Sequence, residues 1–486
     1  MVSASSTIPW GAKINEIPAM PLYASSDPKA SADQLAPFAL PYARDPALRT
    51  FLVRTADLLC DWIGEASRSR PLPLMRPSPQ VAPGLEGADV DSLLRDLQQV
   101  MDGAYQPSHP GALAHLDPPP LTASIAAELV CAGLNNNLLA EELSPGLTSL
   151  EHSLCVWFCN KLGLPEGANG VLASGGTLSN LMALVTAREV QDGVDQGVVL
   201  CSEDAHVSLT KAQRVMGLGA DALIALPVDA EGRLCVEAVE SSLKQLRSEG
   251  RACIAVVATA GTTVRGAIDP LPQLARVCRD AAVWLHVDAA IGGVFALSTE
   301  HAELMQGLHQ ADSITLNPQK LLGITKASSL LLMRKSEHLQ RAFATGLPYM
   351  DAPTLSYHGG ESGIQGTRPA EVLKLWLGLR QLGETGIEAI VSSAMQRRRQ
   401  FSDQLDAERL MLLSGDLHLQ TFHPRGLDAD QCMAWSERAR RMLLNAGYLL
   451  SRPTYNGQFC LKAVFGNPHT SSQHLEDLAT RINSSL

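Results

Sequence analysis

The pattern of hydrophobic and polar positions is most regular between about residues 91 and 375, where short apolar runs alternate with amphipathic segments. The apolar runs predict strands at 197–202, 224–228, 253–260, 283–288, 313–317 and 329–333. The segments between them predict helices at 178–190, 207–216, 236–249, 271–280 and 302–308. Strands that alternate with helices are typical of a mostly parallel sheet covered on both faces, so we predict an α/β fold.

The two ends of the chain differ from this middle part. Residues 1–90 are rich in Pro, Ala and Ser, and the pattern predicts one helix around 46–65 and a linker through 67–87. Residues 376–486 begin with a helical stretch and then mix short strands at 417–421 and 458–464 with helices at 430–445 and 472–484. We therefore predict an N-terminal helical arm (1–90), a large α/β domain (91–375) and a small α+β domain (376–486).

Composition and charge limit the classes of partner. The 486 residues are 45% hydrophobic and 18% charged, which is ordinary for a globular protein. The chain has 39 Lys and Arg against 50 Asp and Glu, a formal net charge of −11. This balance argues against nucleic acid and against anionic membranes as partners, since both select clustered basic residues. It does not exclude a local pocket for an anion.

Targeting and cysteine patterns point to the cytoplasm. The N-terminal sequence lacks a basic segment followed by an apolar core, and no apolar stretch approaches the ~20 residues that span a bilayer. Ten cysteines are scattered, mostly within hydrophobic runs, without the spacing of a metal site. We expect reduced thiols, a cytoplasmic location and no bound metal.

The first chemical motif is a glycine pair between an apolar run and a helix. Gly175, Gly176 and Thr177 allow the backbone to approach a ligand closely. The first turn of the helix that follows leaves N–H groups free for an anion such as phosphate. By itself, the pair is more often only a tight turn.

The second and third motifs end two predicted strands. Asp288 closes an apolar strand and is followed by Ala289 and Ala290, so it is either a helix cap or a group that meets a cation. Lys320 lies between a later strand and two leucines, where burial would lower its pKa and favour a neutral, nucleophilic amine. A lysine beside a turn with its charged head in solvent is the alternative. A phosphate-binding turn, a carboxylate for a ring nitrogen and an imine-forming lysine together are what pyridoxal phosphate requires.

With these motifs in order, the chain resembles the group II amino-acid decarboxylases, which depend on pyridoxal phosphate, from about His109 to its end. The resemblance implies the α/β fold type I of pyridoxal-phosphate-dependent transferases, with residues 91–375 as the cofactor domain. It also implies a homodimer with active sites at the subunit interface and a swapped N-terminal arm. The activity it implies is decarboxylation of an L-amino acid to the amine and carbon dioxide.

The resemblance assigns roles to single residues. Lys320 matches the lysine that forms the Schiff base, and Asp288 matches the partner of the pyridine nitrogen. His206 and Ala290 match the two residues that flank the ring. The other cofactor-binding residues implied are Gly175, Gly176, Thr177, Thr263 and Gln319. Family members generally have histidine where this chain has Gln319, which puts any proton transfer at that position in doubt.

Substrate and proton-donor assignments come from three further segments. His115 and Asp117 lie in a segment that resembles a substrate-contacting loop, and Arg368 matches an arginine that often meets a carboxylate or the phosphate. Tyr349 and Tyr357 are alternative candidates for the tyrosine that protonates the substrate carbon in the family. We expect an acidic or short polar amino acid as substrate. Aldehyde synthesis, lyase chemistry, transamination, or a catalytically degenerate partner subunit are the alternatives.

Overall fold

The computed structural model describes residues 35–191, 196–348, 350, 358–413 and 415–486. Contacts divide the described residues into two units. One unit contains residues 35–65 with Leu74–Ala104, and the other contains Ala66–Pro73 with Tyr105–Leu486.

The first unit contains two capped helices, α1 (Pro46–Gly64) and α2 (Val90–Asp102). Asp45 caps α1 by accepting a hydrogen bond from the Leu48 N–H (3.0 Å), and Asp89 does the same for α2 from the Ser92 N–H (2.8 Å). Proline at the first position of α1 fits a helix start. The helix predicted around 46–65 is confirmed.

The second unit is built on a mixed sheet to which seven strands contribute within the described residues. The strands are β1 (Asn169–Ala173), β2 (Val198–Ser202), β3 (Leu223–Leu226), β4 (Cys253–Thr259), β5 (Trp284–Ala289), β6 (Ser313–Leu316) and β7 (Ser329–Met333). Their order is β1-β7-β6-β5-β4-β2-β3, and β7 runs antiparallel to both neighbours while the other pairs are parallel. The predicted mostly parallel α/β sheet is confirmed.

Helices cover both faces of this sheet, and β4 is apolar on both sides. Alternate residues of β4 enter different cores, with Val256 in one and Val257 in the other. The helices before the C-terminal region are α3 (Thr122–Leu134), α4 (Pro145–Lys161), α5 (Gly176–Val190), α6 (Ser208–Val215), α7 (Val236–Ser248), α8 (Leu271–Ala281) and α9 (Glu337–Phe343). The first core takes side chains from α4, α7 and α8, and the second takes them from α5 and α6.

One predicted helix in this region is wrong. Residues 302–308 form separate 3₁₀ turns, Ala302–Met305 and the start of Leu308–Gln310. Gly307 between them has φ +91°, a left-handed conformation that ends a right-handed helix. A Cβ at Gly307 would lie 2.7 Å from the Pro272 nitrogen, so the close packing against α8 also requires glycine.

The C-terminal region contains a second, smaller sheet. Helix α10 (Val372–Asp403) leads into it with a kink at Gly383 (φ +59°), and α11 (Ala429–Asn445) and α12 (Ser472–Ser484) follow. In the described part of this region β8 (Leu410–Leu413), β9 (Leu419–Pro424) and β12 (Leu461–Val464) pair antiparallel in the order β12-β9-β8, beside a hairpin of β10 (Thr454–Tyr455) and β11 (Gln458–Phe459). The domain boundaries at 90 and 375 stay predictions.

The described residues contain neither a membrane-spanning helix nor a metal-binding cluster. None of the described helices is both long and apolar enough to cross a bilayer. The described residues also contain no cluster of three or more His, Cys, Asp or Glu side chains suited to a metal ion.

Candidate active site

A cavity of about 190 Å³ lies where β4, β5 and β6 end and α5 begins. It is lined by Gly176, Thr177, Asn180, His206, Thr259, Gly261, Thr263, Asp288, Ala290, Ile291, Asn317, Gln319 and Lys320. Ligands of open α/β sheets bind at this edge, beyond the carboxyl ends of the parallel strands. The cavity therefore brings together the predicted cofactor residues, with Gly175 directly before its lining residue Gly176.

Asp288 supplies a buried, fully hydrogen-bonded carboxylate at the end of β5. Asp288 is only 7% exposed. One oxygen accepts from the amide of Asn180 (2.7 Å) and the other from the Ala290 N–H (3.1 Å). Donors on both oxygens fix the orientation of the carboxylate, a group that can pair with a protonated ring nitrogen.

Lys320 ends a 3₁₀ turn, Pro318–Lys320, that follows β6. Burial lowers the pKa of its amine below the usual lysine value, and the negative charge of Asp288 opposes part of that shift. A larger fraction of the amine is therefore neutral than in a solvent-exposed lysine. A neutral amine can attack a carbonyl carbon, as Schiff-base formation requires.

The turn before α5 has the backbone of an anion site. Gly175 has φ +106°, which favours glycine, and α5 starts at the next residue. A Cβ at Gly176 would lie 3.0 Å from the amide nitrogen of Asn317, so glycine keeps that donor accessible. The Asn317 oxygen is already engaged by the Ser329 hydroxyl (2.6 Å). The helix N-terminus and this amide both favour a phosphate.

His206 and Gln319 line the same cavity. His206 is exposed, its Nδ1 accepts from the Ser208 N–H (3.2 Å), and partial burial lowers the pKa of its ring. Gln319 accepts a hydrogen bond from the Ser328 N–H through its side-chain oxygen, so its NH₂ group points elsewhere. The amide at position 319 is thus held by the backbone, and it has no titratable proton near neutral pH.

Arg368 has a partner that the sequence did not indicate. Both terminal nitrogens of its guanidinium contact the carboxylate of Glu151 in α4, at 2.9 and 3.0 Å, and both residues are buried. Arg368 also does not line the cavity. A bidentate ion pair already occupies the group expected to bind a substrate carboxylate, so the geometry supports a structural role instead.

His115 and Asp117 are not among the residues that line the cavity. His115 is partly exposed and burial of the rest of its ring lowers its pKa, while Asp117 forms an ion pair with Lys326 (2.7 Å). Tyr349 and Tyr357 lie outside the described residues.

Several residues of this site were missed by sequence reasoning. Asn180 lies one helical turn after Gly176, a spacing that could have indicated it. Thr259 ends β4 beside Asp288, and its hydroxyl is buried without a partner among the described residues. Lys462 comes from β12 and donates to the Thr263 carbonyl (3.0 Å). Only its occurrence within an apolar strand distinguishes Lys462 in the sequence.

These groups fit pyridoxal phosphate. Within the described part of the chain, the site combines a buried carboxylate, an amine with a lowered pKa, the Asn317 amide beside a helix N-terminus, and a Thr259 hydroxyl that has no partner there. Together with the sheet topology, they define a pyridoxal-phosphate-binding α/β enzyme.

Comparison with known proteins names the family. The sequence model described as "Pyridoxal-dependent decarboxylase conserved domain" matches residues 71–420. The chain is 33% identical to L-2,4-diaminobutyrate decarboxylase of Rhizobium meliloti (strain 1021), over 81% of each chain. It is 31% identical to acidic amino acid decarboxylase GADL1 of Mus musculus, over 66% of this chain and 60% of the relative. The chain belongs to the pyridoxal-dependent decarboxylase family.

A solved structure agrees on the fold. The structure titled Oryza sativa TDC with PLP and tryptamine superposes with a TM-score of 0.86 at 21% identity, covering 92% of this chain and 99% of that one. The enzyme is thus an amino-acid decarboxylase, a carboxy-lyase whose cofactor is pyridoxal 5'-phosphate. The predicted fold, cofactor and reaction class are confirmed.

Proposed function

We propose that this enzyme decarboxylates an L-amino acid with an acidic or short polar side chain. The main support for this substrate class is the buried amine of Lys462. This residue is 5% exposed and lies beside the cofactor cavity. Its hydrogen bond to the carbonyl of Thr263, which lines the cavity, fixes it there. A cation at the edge of a low-dielectric site favours a substrate carboxylate.

The charges around the predicted substrate loop support the same class. Burial lowers the pKa of His115, the charge of Asp117 opposes that shift, and the positive charges of Lys462, Arg440 and Lys326 add to it. Asp117 is itself paired with Lys326. Three cationic side chains against one acidic group near this loop support an anionic substrate side chain, although the whole chain is acidic.

The cavity residues have distinct roles in this proposal. Bound pyridoxal phosphate supplies an electron-poor ring that accepts the electron pair left at the substrate Cα when carbon dioxide departs. Asp288 would hold the ring nitrogen, Lys320 would supply the amine that attaches the cofactor, and His206 and Ala290 would flank the ring. The turn at Gly175, Gly176 and Thr177 would hold the phosphate, with Thr263 and Gln319 as further contacts.

We further propose that Tyr349 or Tyr357 protonates the substrate carbon. The proposal rests on the family resemblance of their segment. Replacing each tyrosine with phenylalanine separates the two, because the variant without the donor should form less amine and, with dissolved O2 as the oxidant, more aldehyde, ammonia and hydrogen peroxide. Unchanged product ratios in both variants would contradict the proposal.

A diamino acid is the second candidate substrate. It is favoured by the name of the Rhizobium meliloti relative, and Asp117 would be the contact for the second amino group. The ion pair between Asp117 and Lys326 makes this candidate the weaker one, since the carboxylate already has a cationic partner.

A homodimer with active sites at the interface is also proposed. Helix α3 is apolar on more than one side, and Leu129, Val130 and Leu134 are 55%, 49% and 48% exposed. A helix that is apolar all round is normally buried, which supports a second copy of the chain as its cover. The swapped N-terminal arm belongs to this proposal.

We place the enzyme in the cytoplasm. All ten cysteines lie within the described residues and none forms a disulfide. Nine of them are buried or partly buried and behave as small apolar groups, while Cys60 is exposed. Free thiols are typical of a reducing compartment.

A substrate panel tests the proposed class. Amine formation from aspartate, glutamate, cysteine sulfinate, 2,4-diaminobutyrate and tryptophan is compared for the wild type and Lys462→Met. We expect the acidic substrates to give the highest kcat/KM, and Lys462→Met to lower it roughly 10- to 100-fold for them alone.

Lys244→Met is the matched control, because this lysine of α7 is exposed and does not line the cavity. It should change the preference little. Highest turnover of 2,4-diaminobutyrate, reduced by Asp117→Asn, would instead support the second candidate.

A further inference from the structure

We propose that a buried chain of hydrogen bonds from Ser313 through His286 and Asn180 holds the Asp288 carboxylate in position, which makes Asn180 and His286 positioning residues for the cofactor. The inference rests on the proposed contact between Asp288 and the ring nitrogen. The sequence assigned no cofactor role to Ser313, His286 or Asn180. His286 in particular lies behind Asp288 and does not line the cavity.

The chain of contacts is continuous and shielded from water. The Asn180 amide nitrogen lies 2.7 Å from Asp288 Oδ2, and its oxygen lies 3.1 Å from His286 Nε2. His286 Nδ1 lies 2.8 Å from the Ser313 hydroxyl. His286 is 0% exposed, and Asn180 and Ser313 are each 1% exposed.

Sheet geometry explains why these residues meet. His286 and Asp288 are two positions apart on β5, so their side chains leave the same face of the sheet. Ser313 is the register partner of His286 on the neighbouring parallel strand. Asn180 reaches down from the first turns of α5, the helix that also begins the phosphate turn.

The donor and the acceptor of each hydrogen bond can be assigned by starting from the Asp288 carboxylate. A carboxylate only accepts hydrogen bonds, so the Asn180 NH₂ group must face Asp288 and its oxygen must face His286. That oxygen only accepts, so His286 carries its proton on Nε2. Nδ1 then accepts from the Ser313 hydroxyl, whose oxygen accepts from the Trp284 indole N–H (2.9 Å).

The electrostatics agree with this direction of donors. Complete burial lowers the pKa of His286, so the ring is neutral and its single proton has a defined place. The second hydrogen of the Asn180 amide donates to the Ser208 hydroxyl (2.9 Å), which prevents the amide from rotating. The result is a fixed donor aimed at the carboxylate, at a site where any loss of that donor leaves a buried charge less well paired.

Cofactor binding to the purified enzyme tests the proposal. The dissociation constant for pyridoxal phosphate and the absorbance spectrum of the bound cofactor are measured for Asn180→Ala, His286→Phe and Ser313→Ala. We expect binding to weaken roughly 10- to 100-fold in Asn180→Ala, which loses a hydrogen bond to a charged group, and by smaller factors of about 2- to 10-fold in the other two. The bound spectrum should shift in the same order, since each change reduces protonation of the ring nitrogen.

Thr186→Ala is the matched control. Thr186 is also on α5 and loses a buried hydrogen bond to the Met182 carbonyl (2.8 Å), but it does not line the cavity. It should lower the melting temperature without changing the spectrum. Equal effects of Thr186→Ala and Asn180→Ala on affinity, or an unchanged affinity in Asn180→Ala, would overturn the proposal.

Two further measurements distinguish the role of Asp288 from the role of the buried hydrogen-bond chain. If Asp288→Asn binds the cofactor as the wild type does, then the proposed role of Asp288 fails and not only that of the buried chain. Nitrogen NMR of histidine-labelled wild-type enzyme, with the His286 signal assigned from His286→Gln, needs no folded alanine variant. A neutral ring protonated on Nε2 is expected, and a cationic ring or an Nδ1-protonated ring would overturn the assignment.

Discussion

At the scale of single residues, Lys462 gives a pH dependence that distinguishes substrates. Burial, together with the nearby charge of Lys320, lowers the pKa of its amine to about 8. The amine is thus cationic below pH 8 and becomes neutral as the pH rises through that value. Its attraction for a substrate carboxylate is present on the acidic side and lost on the alkaline side.

We therefore predict that the ratio of kcat/KM for glutamate to that for glutamine falls as the pH rises from 7 to 9. Taking the ratio removes effects of pH on steps common to both substrates. Lys462→Arg should make the ratio nearly independent of pH, because arginine stays charged. A wild-type ratio that is flat over this range would show that Lys462 does not contact the side chain.

Residues that line the cavity through local motifs could be predicted from the sequence, whereas those that reach it from distant segments could not. Gly176, Asp288 and Lys320 each follow a strand, so their place at the edge of a parallel sheet follows from the pattern alone. Lys462 depends on how β12 packs near Thr263, 199 positions away in the chain. No short-range pattern carries that information.

At the scale of elements, the ion pair between Arg368 and Glu151 joins the segment before α10 to α4. The pair is bidentate and buried, and Arg368 also donates to the Leu172 carbonyl of β1 (3.2 Å). Removing one partner leaves the other charge buried and unpaired, which costs about 3–5 kcal/mol.

We predict that Arg368→Met lowers the free energy of unfolding by about that amount and leaves KM of the folded enzyme unchanged. The double variant Arg368→Met with Glu151→Met should recover much of the lost stability, since no unpaired charge remains. Denaturant unfolding and steady-state kinetics measure the two effects. A large rise in KM with little loss of stability would restore the substrate role that the sequence indicated.

Helices and strands were predicted correctly where the hydrophobic pattern was strong. The prediction failed where a single residue set the backbone conformation. The strands from β2 to β7 appear as apolar runs because both faces of the sheet are buried. The helix predicted at 302–308 does not form because Gly307 has a left-handed conformation. Gly307 also packs closely against Pro272. The antiparallel direction of β7 was also not visible in the sequence, since an apolar run has no orientation.

At the scale of the whole molecule, the exposed apolar side of α3 predicts self-association. Leu129, Val130 and Leu134 should be covered in a homodimer. We predict that Leu129→Glu with Val130→Glu shifts the mass measured by light scattering from two chains to one and weakens cofactor binding. Arg95→Glu, an exposed change in α2, is a control for added negative charge. A wild-type enzyme that is monomeric at micromolar concentration would contradict the prediction.

The family and the cofactor were predictable because several motifs occur in a fixed order, and the comparisons confirm both. The substrate was not, because the proposed recognition depends on charges such as those of Lys462 and Arg440, which only the folded chain brings near His115. The domain boundaries and the quaternary structure stay predictions.

The most direct test of the central claim is the product balance from an acidic amino acid labelled in its α-carboxylate. Labelled carbon dioxide, amine, aldehyde and ammonia are measured for the wild type and Lys320→Ala, each supplied with pyridoxal phosphate. The account predicts carbon dioxide and amine in equal amounts from the wild type, and turnover near background from Lys320→Ala. Aldehyde and ammonia in place of the amine, or undiminished turnover in Lys320→Ala, would contradict it.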